Sequence, residues 1–118
     1  MSEFLSFQET PVHYRTTGSG PWVLLIHGFL ESTEIWDAFA THLAEKFSVL
    51  MVDLPGHGRS GQTAGIHTME YLATSVFAVT DHLGISSFSV CGHSMGGYVG
   101  LQMAEMRPAM VKSIVLFH

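Results

Sequence analysis

The apolar residues of this chain fall into short unbroken blocks, and between the blocks they recur every three or four positions. Trp22–Ile26 (WVLLI) is a continuous apolar run and Ser48–Leu54 (SVLMVDL) has the same character, while Val111–Phe117 (VKSIVLF) reads simply as a last strand. Runs of this length bounded by turn residues predict strands buried on both faces. Phe88–Cys91 predicts a shorter strand of the same kind. Ahead of these, Phe4–Phe7 and Val12–Thr17 predict two short strands joined by a turn at Thr10-Pro11. The cluster Gly18-Ser19-Gly20-Pro21 ends that pair.

The intervening segments carry a helical period. Trp36, Phe39, Ala40, Leu43 and Phe47 predict a helix from Thr33 to Lys46, capped by Ser32 or Thr33. Met69, Leu72, Ala73, Val76 and Leu83 predict a second from Thr68 to Leu83, ended by Gly84. A third runs from Met95 to Met106 and is stopped by Pro108. Gly56 to Gly65 reads as a glycine-rich loop. Strands alternating with helices of this length imply βαβ crossovers, hence an α/β fold with a mostly parallel, doubly wound sheet. The opening strand pair is the exception. Its connection is too short for a crossover, so it should be antiparallel.

Composition narrows the classes. The chain has 118 residues, enough for one domain and not two. Hydrophobic residues make up 47% and charged residues 13%, and mean hydropathy is +0.29. Five Lys+Arg against ten Asp+Glu leave no basic footprint for a phosphate backbone, which argues against nucleic acid as a partner. The single cysteine, Cys91, cannot form an internal disulfide and reads as a small buried hydrophobe. The N-terminus shows no secretory leader, and no apolar stretch is long enough to span a bilayer. A soluble, cytoplasmic protein with no membrane partner is the expectation. Eight histidines are present, none in a metal-binding spacing, so no metal is expected.

The candidate chemistry lies at Gly92-His93-Ser94-Met95-Gly96-Gly97. G-x-S-x-G is weak as a bare pattern. Here it falls between a buried strand and a helix, the setting in which a serine is lifted out on a strained turn. Gly92 and Gly96 meet the need for flanking residues without side chains. Ser94 is the expected nucleophile. The N–H of Met95, at the helix start, is the first expected oxyanion donor, since free amides and the helix dipole favour negative charge there. A fixed donor of this kind is worth about 3 kcal/mol. The competing reading makes Ser94 a simple helix cap. His27-Gly28-Phe29 directly follows a strand and offers the N–H of Phe29 as the second donor. His27, Gly28, Leu30 and His93 are the expected substrate-side positions. For the His27 ring the preferred role is to shape its loop, and Trp36, Phe29 and Leu30 are candidates for a pocket mouth.

Gly56-His57-Gly58-Arg59-Ser60-Gly61 fits a dinucleotide fingerprint, with Asp81 further along. That fit fails because its last glycine does not open a helix and Asp81 lies within one. No cofactor is expected. Asp53 ends a strand on the active edge, but Pro55 and the following loop point to a structural role.

Taken together, His27-Gly28-Phe29, Asp53-Leu54-Pro55-Gly56-His57-Gly58-Arg59-Ser60 and the Ser94 segment resemble the α/β-hydrolase superfamily. The resemblance covers nearly the whole chain. It implies strands one to six of the family's usual eight, with strand two beside four, then three, five and six. On this reading residues 1–118 form the N-terminal part of a single domain, without the cap and last strands. The resemblance implies that Ser94 attacks a carbonyl carbon and forms an acyl-enzyme, while a histidine and an acid beyond strand six activate it. His118 sits near where some members carry the acid and is not the family base. His93 should point away from the nucleophile. Members with an aspartate nucleophile cleave epoxides or carbon–halogen bonds, so a serine points to esters and related acyl compounds. The chain alone is expected to have little esterase activity and to self-associate through its strand-six edge. A non-catalytic binding or receptor module, and an acyltransferase or perhydrolase on the same site, stand as alternatives.

Overall fold

A computed structural model describes residues 2–62 and 67–117. Among these residues six strands form one sheet in the order β1-β2-β4-β3-β5-β6: β1 is Ser2–Phe7, β2 Thr10–Gly18, β3 Trp22–Ile26, β4 Ser48–Val52, β5 Phe88–His93 and β6 Val111–Phe117. This is the order implied by the family resemblance. β1 runs antiparallel to β2, with Ser2 opposite Arg15 and Phe7 opposite Thr10. β2 is also antiparallel to β4, and every later pairing is parallel. Among the described residues three α-helices accompany the sheet: α1 (Asp37–Leu43), α2 (Met69–His82) and α3 (Met95–Met106).

The two faces follow from the strand period of two. Val23 and Leu25 of β3, with Val49 and Met51 of β4, face one side and pack with Trp36, Ala40 and Cys91. Leu24, Ile26, Leu50, Val52 and Val90 face the other, against Leu72, Val76 and Phe77 of α2 and Val99 and Met103 of α3. β3 is therefore covered on both sides, which is why its sequence is apolar without alternation. Each fully buried Leu or Ile there contributes roughly 1.5–3 kcal/mol relative to exposure.

Three local expectations change. The first hairpin turns at Gln8 and Glu9, both at positive φ (48° and 67°), and not at Thr10-Pro11, which begin β2. Two central residues of that kind match the right-handed twist of the flanking strands. The predicted helix Thr33–Lys46 is instead a 3-10 turn over Thr33–Trp36 followed by the short α1. Ser32 caps it as expected, its hydroxyl accepting from the Glu34 N–H. After Leu43 the chain tightens, and Lys46 N–H and Phe47 N–H both donate to the Leu43 carbonyl. β5 also extends two residues further than expected, through Gly92 and His93.

α2 ends as its sequence indicates. Gly84 takes φ 72°, its N–H donates to Asp81, and the Ile85 N–H reaches back to the Thr80 carbonyl. Part of the expected Gly56–Gly65 loop, together with His118, lies outside the described residues.

Candidate active site

β3 lies between β4 and β5, so the β3–β4 and β4–β5 crossovers run in opposite directions across the sheet. In sheets of this type the crevice for ligands opens at the carboxyl ends of the strands around such a switch point. The loop after β3, the loop after β4 and the β5–α3 junction all lie at that end.

β5 passes into α3 through a single residue, Ser94, which takes φ 54° and ψ −115°. A left-handed φ at a non-glycine residue costs roughly 1–3 kcal/mol and persists only where the surroundings enforce it. Here the enforcement is steric. A Cβ on Gly92 would lie 2.4 Å from the Gly97 nitrogen, and one on Gly96 would lie 2.1 Å from the Ile26 carbonyl oxygen. The elbow closes because both positions lack side chains. Ser94 is exposed, and its hydroxyl makes no capping bond to α3. Its backbone is tied on either side: its N–H donates to the Phe117 carbonyl at 3.0 Å, and its carbonyl accepts from Gly97 N–H at 2.9 Å.

The loop after β3 packs directly on this elbow. A Gly96 Cβ would also sit 2.6 Å from the His27 carbonyl oxygen. Glu31 N–H donates to the Gly28 carbonyl at 3.2 Å, closing a turn in which Leu30 takes φ 61°. Phe29 and Leu30 are exposed at its tip. Among the described residues neither the N–H of Met95 nor that of Phe29 donates a hydrogen bond.

His27 corrects one expectation. Its sequence position suggests substrate contact, but its ring is fully buried and both ring nitrogens are engaged. Leu54 N–H donates to Nε2 at 3.0 Å, so Nδ1 carries the proton and donates to the Gly28 carbonyl at 2.7 Å. Burial pushes its pKa below the ordinary histidine value, and neighbouring His57 adds to that. Its bond to Gly28 acts in the opposite sense. The ring ties the Gly28 carbonyl to the Leu54 N–H.

His93 and Ser94 line different clefts that meet at Phe117. Ser94 opens on a cleft of about 170 Å³ with Gly97, Tyr98, Leu101, Leu116 and Phe117. His93 faces a shallow groove with Glu31, Ile35, Trp36 and Phe117, and its Nδ1 lies 2.8 Å from Glu31 Oε1. Glu31 Oε1 also accepts from Gly28 N–H at 2.6 Å. Burial opposes the charged form of Glu31. The bonds from His93 and Gly28, helped by the histidine charges, outweigh it and hold the pKa below the usual glutamate value.

Tyr98 and Leu101 did not figure among the expected pocket residues. A signal for them exists, since they follow Ser94 by four and seven positions on a helix that starts there. Two larger clefts, of about 360 and 370 Å³, flank Arg15 and do not include Ser94. Among their charged groups, Arg15 is held by Asp37 and Thr33, and Asp53 by His13.

Asp53 holds the neighbouring loop together. It is 1% exposed and accepts from Thr33 N–H, Arg59 N–H and His13 Nδ1 at 2.8, 3.1 and 2.7 Å. His13 is the partner that sequence reading missed. The loop that carries the glycine fingerprint folds back on itself, with Gly56 N–H donating to the Gly61 carbonyl, and α2 opens only at Met69. Cys91 is buried, and burial raises its pKa, which keeps it a thiol.

An open sheet of this order with a serine elbow and a glycine loop facing it defines a hydrolase-type fold. A family model described as alpha/beta hydrolase fold matches residues 21–117, and the chain belongs to that family. It is 35% identical over 105 residues to a pimeloyl-(acyl-carrier protein) methyl ester esterase of Nitrosomonas europaea, covering 89% of this chain and 40% of that protein. It is 36% identical to the dihydrolipoyllysine-residue acetyltransferase component of an acetoin cleaving system of Cupriavidus necator, over 97% of this chain and 31% of the other. Among solved structures it superposes on the epoxide hydrolase CorEH with a TM-score of 0.95 at 30% identity, covering 98% of this chain and 41% of that one. A hydrolase from Pseudomonas aeruginosa gives 0.93 at 30% identity, over 98% and 44%. The chain thus spans well under half the length of these relatives. Among the described residues no helix is long and apolar enough to cross a membrane.

Proposed function

We propose that this chain carries the nucleophile and oxyanion site of a serine hydrolase that cleaves a small ester or related acyl compound. The observation that supports this reading best is Ser94 itself: exposed, at φ 54°, uncapped, and seated between the end of β5 and the first amides of α3. Ser94 Oγ attacks the substrate carbonyl carbon, and the C–O bond to the leaving alcohol breaks through a tetrahedral oxyanion. The N–H groups of Met95 and Phe29 receive that oxyanion, each contributing about 3 kcal/mol. Water then hydrolyses the acyl-enzyme and frees Ser94. The histidine that takes the Ser94 proton, and the acid that orients it, are supplied by residues outside this chain. This agrees with the share of the relatives that the chain spans.

The esterase from Nitrosomonas europaea supports ester cleavage, and serine at position 94 supports an acyl-enzyme over epoxide opening. The similarity to an acetyltransferase component supports a second reading, in which the acyl group passes from Ser94 to an acceptor other than water. A fluorophosphonate probe tests the proposal on the longest protein that contains this chain. Phosphonylation mapped to Ser94, and lost in Ser94→Ala, is the expected result. Absence of labelling favours a non-catalytic binding module. The 118-residue chain alone should turn over p-nitrophenyl esters barely or not at all.

A further inference from the structure

Glu31 sits where the oxyanion loop meets the elbow. Its Oε1 accepts from Gly28 N–H at 2.6 Å and lies 2.8 Å from His93 Nδ1, next in sequence to Ser94. Gly28 is wedged into the same junction. A Cβ there would lie 2.6 Å from Glu31 Oε1, 3.0 Å from the His93 carbonyl oxygen and 3.3 Å from His93 Nδ1. The turn that this junction closes, Gly28 to Glu31, carries Phe29 and the left-handed Leu30. A residue in that region holds its shape only where neighbours over-determine it. Three bonds do so here: Glu31 N–H to the Gly28 carbonyl, Gly28 N–H to Glu31 Oε1, and the His93–Glu31 pair.

We infer that Glu31 is a positioning residue that fastens the Phe29 amide to the elbow, so that both oxyanion donors keep one fixed separation. This rests on the serine hydrolase reading. Glu31 itself does not line the Ser94 cleft, and its carboxylate is committed to Gly28 and His93. It therefore acts through the loop. Loss of the acceptor should leave ground-state binding largely in place and slow the step in which the oxyanion forms.

The test follows the rate of Ser94 phosphonylation and the amide NMR signal of Gly28, in the longest protein that contains this chain. Glu31→Ala and Glu31→Met remove the acceptor, and the methionine keeps the packing of the stem if the alanine variant does not fold. Both should slow phosphonylation about 10- to 100-fold, the scale of a misplaced catalytic group. In ester turnover the loss should fall on kcat and leave KM nearly unchanged. Glu31→Gln keeps an acceptor oxygen and should restore the rate to within about threefold of wild type. The short bond to a carboxylate should place the Gly28 amide proton downfield, and the signal should move upfield in the alanine and methionine variants only. Wild-type rates in those variants, while Ser94→Ala stays inert, would overturn the inference and leave the serine reading standing. A glutamine variant as slow as the alanine one would overturn it as well. If Ser94 itself fails to react, the serine reading falls, and a Gly28 signal unmoved in Glu31→Met would separately overturn the clamp.

Discussion

Adding one methyl group at Gly96 should damage both the fold and the site. The alanine Cβ would stand 2.1 Å from the Ile26 carbonyl oxygen, 2.6 Å from its carbonyl carbon and 2.6 Å from the His27 carbonyl oxygen. All three are backbone atoms of β3 and the loop after it, so no side chain can swing aside. Ordinary contact begins near 3.4 Å, so α3 and the end of β3 must part by about 1.3 Å, the difference between 3.4 and 2.1 Å. Overpacking usually costs 1–3 kcal/mol, and a clash with fixed backbone belongs at the upper end, about 3 kcal/mol. The same displacement separates the Met95 amide from the Phe29 loop, and a shift of about 1 Å at a catalytic group costs about 100-fold in rate. Gly97→Ala is the internal control. Its Cβ would come tight only against the flexible end of Leu116, at 3.0 Å, with the Gly92 carbonyl oxygen at an ordinary 3.6 Å, and should cost less than about 1 kcal/mol. Urea melts give the stability difference, and Ser94 phosphonylation gives the rate. A Gly96→Ala protein as stable and as reactive as Gly97→Ala would refute the steric account of the elbow.

Other consequences are equally direct. Asp53→Ala strips the acceptor from Thr33 N–H, Arg59 N–H and His13 at once, and should cost about 3–5 kcal/mol in a denaturant melt. A loss under about 1 kcal/mol would show that this network does not hold the loop. His27 is held neutral with its pKa below 6.5, so the unfolded chain takes up a proton first as pH falls. The stability tied to His27 should thus be complete above pH 6.5 and decline below it. His27→Gln should flatten that decline, and an unchanged slope of melting temperature against pH would contradict the assignment. On β6, Val115, Leu116 and Phe117 are 46%, 44% and 38% exposed beside unpaired strand backbone. The 118-residue chain on its own should therefore scatter light as more than a 12.9 kDa monomer, and a clean monomer would count against it.

What could be read from the sequence was set by range. WVLLI and SVLMV are local patterns, and burial on both faces leaves an unmistakable trace in consecutive residues. The elbow was equally legible, because Gly92 and Gly96 answer steric demands within five residues of each other. The hairpin turn was not, since Gln8 and Glu9 adopt positive φ without the Asn or Gly that normally announces it. The helix after Ser32 is shorter than its pattern suggests, because apolar positions at Trp36, Phe39, Ala40 and Leu43 suit a 3-10 turn joined to a short helix as well as one long helix. The long-range polar pairs left no trace. His13 and Asp53 are 40 residues apart, and Glu31 and His93 are 62 apart. No spacing rule connects them until the sheet brings the strand ends together.

The most direct measurement is a crystal structure of the phosphonylated protein. The central claim predicts phosphorus bonded to Ser94 Oγ and one phosphonyl oxygen about 2.7–3.1 Å from the nitrogens of both Met95 and Phe29. An adduct on another residue, or a phosphonyl oxygen turned to solvent with both amides unoccupied, would contradict it.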